Sequence, residues 1–352
     1  AMEARAKELG AAVPPLYYAF PDNSGLSAAD AQKAIDAGLP TDRFLTDVHV
    51  GATGGVAAAR GLLNNPPVPG FGGGVVNLET NAGTHDFQRA LNEASDLIDW
   101  IEAQADAALS AKLFGRTGSF CTGGASQFDQ WAQGMAFFLP NMTFLQPPGH
   151  VHAMFAAQPA PVLLSSSWSP PAGHKHTWTR VEGFIPAGGD AIPPRLNVTL
   201  SDAKALCDQT HACAGITFHS DVPSPNGTIA KVYFKYATQH TAAAGWQSYL
   251  RDVSAVRAAA MRTADGRSLV LPFVNPTVDA VALTVSLSGG AVDASASVSL
   301  TTLSAGSLGA VNTPATPDAV APRLSQASPT SSTSLTFTIP AQSFVIAAAL
   351  LA

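Results

Sequence analysis

"GGVVNLETNAGTHDFQRALNEASDLIDWIEAQAD" spans Gly73–Asp106. It opens on an apolar run, Val75-Val76, meets Asn77 and then Glu79, and closes on a long amphipathic helical pattern. A buried strand that ends in a lone carboxylate and feeds a helix is a β-α unit. The same rhythm runs upstream. "PLYYAF" reads as a strand, "SAADAQKAIDAG" as a helix with Ser27 as N-cap and Gly38 past its end, "FLTDVHV" as a strand and "GVAAARGLLNN" as a helix. Downstream, "AKLFGRTGSFCT" holds the next strand, and "WAQGMAFFLPN" and "PPGHVHAMFAAQ" follow. Four buried strands at roughly 30-residue spacing argue a parallel α/β architecture, either half of a (β/α)8 barrel or a doubly wound sheet. No G-x-G-x-x-G follows the first strand, which weakens the dinucleotide-binding version.

The texture changes after residue 160. From about Val253 the chain is strand and turn: "SLVLPFVNP", "AVALTVSLSGG", "ASASVSLTTLS", "STSLTFTIPA", "SFVIAAALLA". Alternating apolar and Ser/Thr residues with frequent turns read as a β-sandwich. The expected organisation is therefore α/β plus all-β. Residues 1–160 form the α/β part, and 161–172 with 253–352 form the sandwich. Residues 173–252 are a small inserted α+β module carrying a cysteine pair.

The 352 residues are 46% hydrophobic and only 12% charged, with net charge −6, so no basic footprint for nucleic acid exists. No stretch reads as a membrane span; the apolar tail "FVIAAALLA" is far shorter than the roughly 20 residues a helix needs and reads as a last strand. Cys207 and Cys213 are spaced to close a small disulfide loop, two reduced thiols being the other reading, and Cys121 reads as a buried free thiol. Three sequons begin at Asn141, Asn197 and Asn226. With the cysteine pair they favour a secreted, extracellular or cell-wall glycoprotein.

In a parallel barrel the reactive groups lie where strands end. Those positions hold Asp22 and Asn23, then Asp47 and His49, then Asn77 and Glu79, then Cys121 and Thr122. His49 and Glu79 follow consecutive strands at the same level. A carboxylate beside a His and an Asn donor can stay ionised at neutral pH and act as a nucleophile, although a lone polar rim residue is as often a satisfied structural group. Tyr17, Tyr18, Trp131 and Phe144 are aromatics that could pack on a sugar face. The pairs His150/His152 and His174/His176 have i, i+2 spacing rather than a zinc motif, "GASQF" is no nucleophile elbow, and no metal or cofactor is implied.

On these residues the sequence resembles the α-L-arabinofuranosidases of glycoside hydrolase family 51, a clan A family with a (β/α)8 barrel and a C-terminal β-sandwich. "VVNLETNAGTHDFQRALNEASDLIDWIE" is similar to the seventh barrel strand and its helix, "DVHV" to the sixth strand with its histidine, and "FCTGGASQFDQWAQGMAFFLPN" to the eighth strand and loop. "FVNP" and the stretch from "LGAVNTPATPD" onward resemble the sandwich. The resemblance implies barrel strands five to eight and a retaining exo-glycosidase acting on cell-wall polysaccharide or glycoprotein arabinosides. It implies Glu79 as nucleophile and His49, Asn77 and Trp131 as substrate-binding residues. The family's acid/base glutamate ends the fourth strand in an Asn-Glu pair. The only such pair here, Asn92-Glu93, lies inside a helix and does not match. Met2–Leu9 resembles the helix after strand four, so the expected partner, besides a carbohydrate substrate, is an N-terminal barrel fragment of the same precursor. Within 173–252, "CAGITF", "KVYFK" and "GWQSYL" loosely resemble PAN/apple modules. The alternative reading is an inactive extracellular structural or carbohydrate-binding protein on a glycosidase scaffold.

Overall fold

The computed structural model describes residues 18–21, 32–33, 35–38, 44–47, 56, 59, 74–77, 84–104, 113–116, 134–166, 177–185, 190–209, 213, 215–222, 225–235, 240–251 and 256–352. Strands β1 (Tyr18–Pro21), β2 (Phe44–Asp47), β3 (Gly74–Asn77) and β4 (Leu113–Arg116) form a four-stranded parallel sheet in chain order. Gly74, Val75 and Val76 are all buried, as a strand covered on both faces requires. Parallel neighbours need crossovers. Between β1 and β2, helical residues end at Gly38, whose φ of +92° is the left-handed stop the sequence placed there.

Between β3 and β4 runs α1 (Phe87–Ala103). Asp86 caps it, its side chain accepting from the Arg89 N–H at 2.9 Å. Two more N–H groups of the first turn are satisfied by distant carbonyls: Phe87 donates to Ala310 at 2.9 Å and Gln88 to Leu308 at 2.8 Å. The strand pair β5 (Ala136–Leu139) and β6 (Met142–Leu145) is an antiparallel hairpin leading into α2 (Pro147–Ala157). Pro147 and Pro148 begin α2, where a missing N–H costs nothing.

A second, antiparallel region holds the C-terminal core. Its sheet runs in the order β18 (Arg323–Ala327), β17 (Val298–Ser304), β20 (Ser343–Leu350), β15 (Ser268–Asn275), β14 (Met261–Arg262), β7 (Val162–Leu163), with β13 (Arg257–Ala258) also on β15. Strands β16 (Val281–Ser286) and β19 (Ser334–Ile339) pair with each other and pack on one face of it. Helices α1 and α2 cover the other face. Period-two geometry divides the side chains. Val270, Val274, Phe344 and Ile346 meet the helices, while Leu269, Leu271, Phe273, Val345 and Ala347 meet the ribbon. Both β15 and β20 are therefore near-continuous apolar runs rather than alternating ones. Full burial of each such Leu or Phe stabilises by about 1.5–3 kcal/mol.

Pro272 lies inside β15 and lacks a donor. Its carbonyl accepts from Ala259 at 3.3 Å, where the partner strand is interrupted between β13 and β14. The lost donor would point to that same side, so the interruption removes the need for it.

Between β7 and β13 lies a five-stranded antiparallel sheet, in the order β8 (Trp178–Glu182), β12 (Trp246–Arg251), β10 (Gly215–His219), β11 (Thr228–Lys235), β9 (Asp190–Thr199). Helix α3 (Leu200–Gln209) packs on one face over Ile216, Phe218, Val232, Phe234 and Tyr249. Cys207 and Cys213 form a disulfide, with Cα atoms 5.2 Å apart, so the reduced-thiol alternative falls. Arg251 donates to the Cys207 carbonyl at 2.8 Å, satisfying an end-of-helix acceptor. The stretches either side of this sheet meet: Leu163 on β7 is in register with Met261 on β14.

Candidate active site

Because β1 to β4 are parallel, their C-terminal ends emerge at one edge of the sheet. Pro21 is in register with Asp47, Asp47 with Val76, and Asn77 with Arg116. Asp47 and Asn77 thus come out at neighbouring levels of adjacent strands. His49 follows Asp47 by two residues and Glu79 follows Asn77 by two. His49, Glu79 and Trp131, like Cys121 and Thr122, lie outside the described residues. Arg116, the last residue of β4 and not among the expected site residues, holds the register position opposite Asn77.

The segment that leads from Glu79 into α1 becomes described at Thr84, and here the structure adds a device. Arg89, 1% exposed, donates through Nη1 to the Thr84 carbonyl at 2.6 Å. The same guanidinium lies 3.5 Å from Glu93 Oε1, both side chains being fully buried. On the far side, His152 Nε2 of α2 is 3.7 Å from Glu93 Oε2. Arg89 therefore ties the helix to Thr84 ahead of it and pairs with Glu93, while the His152 imidazole lies beside that carboxylate without a hydrogen bond from Nε2. A buried ion pair is costly to break, because the charge left behind has neither water nor partner. Glu93 is closed off from solvent, which fits a structural carboxylate rather than a group that trades protons with a sugar.

Several other positions can be placed. Phe144 is buried, packing on Phe137 with ring centroids 5.6 Å apart, and Phe137 in turn meets His85 at 5.1 Å. It is a hairpin core residue rather than an open sugar platform. Asn141, Asn197 and Asn226 are all exposed. Gln146 and Asn312 form a closed polar pair. Gln146 Nε2 donates to the Asn312 carbonyl at 2.8 Å, and the Asn312 N–H donates to Gln146 Oε1 at 3.0 Å. Asn312 Nδ2 also donates to Leu145 and Val320 carbonyls, and its Oδ1 accepts from the Val320 N–H. This pair fixes the segment whose carbonyls at Leu308 and Ala310 receive the N-terminus of α1. Burial lowers the pKa of His150, opposed in part by Asp318.

No family model matches the sequence, and no curated protein matches it. Solved structures do. The α-L-arabinofuranosidase from Thermotoga maritima, in its arabinose complex, matches with a TM-score of 0.53 over 95% of this chain and 57% of that one, at 13% identity. The thermostable GH51 α-L-arabinofuranosidase from Thermotoga petrophila matches with a TM-score of 0.53, 94% and 56% covered, at 12% identity. The chain carries part of the fold that these structures share. It spans little more than half the length of those two enzymes. An arabinose-bound GH51 α-L-arabinofuranosidase, of which 42% is covered by 99% of this chain, matches with a TM-score of 0.51 at 13% identity. At such identities the likeness is one of fold. Among the described residues no helix is long and apolar enough to cross a membrane.

Proposed function

We propose that the chain is the C-terminal part of a retaining exo-glycosidase of the α-L-arabinofuranosidase kind, acting on cell-wall polysaccharide or glycoprotein arabinosides. The observation that carries this reading is the four-stranded parallel sheet in chain order, within a fold shared with two arabinofuranosidases over nearly the whole chain. In this reading β1 to β4 are barrel strands five to eight, and residues 161–172 with 253–352 are the β-sandwich. Residues 173–252 are an inserted module, whose loose likeness to PAN/apple modules rests on the cysteine-bearing "CAGITF" stretch with "KVYFK" and "GWQSYL" after it. The disulfide agrees with an oxidising compartment, and hence with secretion to the extracellular space or wall.

The chemistry follows from strand-end placement. Glu79 is the nucleophile, attacking the anomeric carbon through an oxocarbenium-like transition state to give a glycosyl-enzyme ester. Two carboxyl groups about 5–5.5 Å apart are needed for retention. The second, the general acid/base, comes from the N-terminal barrel half, outside these 352 residues. His49, Asn77 and Trp131 bind the sugar. Arg89 acts through position: by holding the Thr84 carbonyl it anchors the chain where it enters α1, downstream of Glu79.

The test is turnover of an aryl arabinofuranoside by the complete protein, both barrel halves present, against Glu79→Gln. Loss of a covalent nucleophile removes several kcal/mol of barrier lowering, so kcat drops by roughly three orders of magnitude or more. Turnover by Glu79→Gln at the wild-type rate overturns the assignment. No turnover by either form favours the alternative, a carbohydrate-binding or structural scaffold.

A further inference from the structure

Three sequons share one sequence pattern but occupy three different local structures. Asn141 is at the turn of the β5–β6 hairpin, exposed, with Thr143 exposed beyond it. Asn226, Gly227 and Thr228 are exposed together at the turn entering β11, and a side-chain carbon built on Gly227 would meet nothing within 4 Å. Asn197 is exposed too, but it lies within β9 with φ +54°. Its Thr199 hydroxyl is already committed to the start of α3: it donates to Asp202 Oδ2 at 2.7 Å and accepts from the Asp202 N–H at 3.1 Å.

The two sequons of the inserted sheet converge. Thr199 is in register with Thr228, so Asn226 lies just beyond the end of β9. Among the described residues strand β9 is the sheet's edge, and Leu196 on it is 64% exposed. An exposed edge with an apolar side chain is a template for pairing with another chain unless something blunts it.

We propose that Asn141 and Asn226 are N-glycosylated in preference to Asn197, and that the Asn226 glycan shields the open edge at β9. In the transfer, the Asn Nδ2 attacks the anomeric carbon of a lipid-diphosphate-linked oligosaccharide. The new C–N bond forms as the C–O bond to the diphosphate breaks. The diphosphate leaves with the electron pair, and the amide proton passes to a base of the transferase. Asn141 and Asn226 offer a free amide with a free hydroxyl two residues on, whereas the local cap with Asp202, three residues further along the chain, competes for the hydroxyl of Thr199. The inference does not depend on Glu79 acting as a nucleophile.

The experiment is secretion of the complete protein, both barrel halves present, from a eukaryotic host. Glycans are then released enzymatically in heavy-oxygen water, and labelled aspartate is mapped by mass spectrometry. The expected result is near-complete labelling at Asn141 and Asn226 and a clearly smaller fraction at Asn197. Unlabelled Asn141 or Asn226, or Asn197 labelled as fully as they are, overturns the ordering. For the edge, light scattering is read on the folded protein before and after enzymatic deglycosylation, and on Asn226→Gln and Asn141→Gln. The mass rises on deglycosylation and in Asn226→Gln but not in Asn141→Gln. An unchanged mass on deglycosylation and in Asn226→Gln overturns the shielding role.

Discussion

At Arg89 a single side chain joins the start of its helix to a buried carboxylate one turn on. Its guanidinium donates to the Thr84 carbonyl and lies against Glu93, which His152 approaches from α2. Arg89→Ala strands a buried carboxylate and is expected to cost about 3–5 kcal/mol. Arg89→Met combined with Glu93→Leu removes both charges and should cost clearly less, as a denaturant titration will read. His150 gives the pH prediction at the same scale. Its Nε2 is buried without a partner, and burial holds its folded pKa below the ordinary 6.5. The unfolded chain then binds the proton more readily, so stability falls as pH drops through the ordinary histidine range and levels off below the folded pKa. Melting temperature measured from about pH 7.5 to about pH 5.5 should decline more steeply for the wild type than for His150→Gln. None of these roles was visible beforehand. "FQRALNEA" showed an amphipathic helix, but an Arg and a Glu one turn apart read equally as a solvated pair until the second helix covers them.

Elements were legible in proportion to how far one strand or helix decides its own pattern. Strands β2 to β4 and helix α1 fell inside the stretches that the apolar runs and turn residues marked, and β1 runs past its stretch to Pro21. Strand β20 was read from "SFVIAAALLA" because a Pro and turn residues bound it. Strand β18 was missed: "RLSQA" is an edge strand with exposed side chains, so it carries no alternation to read. The helices covering one face of the C-terminal sheet were also not foreseen, since packing between distant segments leaves no local period. The disulfide was legible from its six-residue spacing, and it ties α3 at Cys207 to Cys213, just before β10. Closing so short a loop is worth about 2 kcal/mol through the unfolded chain. Cys207→Ser with Cys213→Ser should therefore lower the stability of the inserted sheet by roughly that amount. Hydrogen exchange will read it as faster exchange on β8 to β12, with β15, β17 and β20 unchanged.

At the scale of the molecule, two cores are built on opposite faces of one sheet, and the parallel sheet is joined to them through α1. That helix follows β3 and Glu79 in the chain, takes backbone acceptors from residues 308 and 310, and packs on β15 and β20. Helix α1 thus links the chain that follows β3 to the C-terminal layers, and the fold match extends over both. The proposed chemistry narrows to one atom. The complete protein should be exposed briefly to a mechanism-based arabinofuranoside that forms the ester quickly and hydrolyses slowly, then digested and mapped by mass spectrometry. The account predicts one added pentosyl mass, on the peptide containing Glu79. An adduct on a different carboxylate, or steady turnover with Glu79 unmodified, would contradict it.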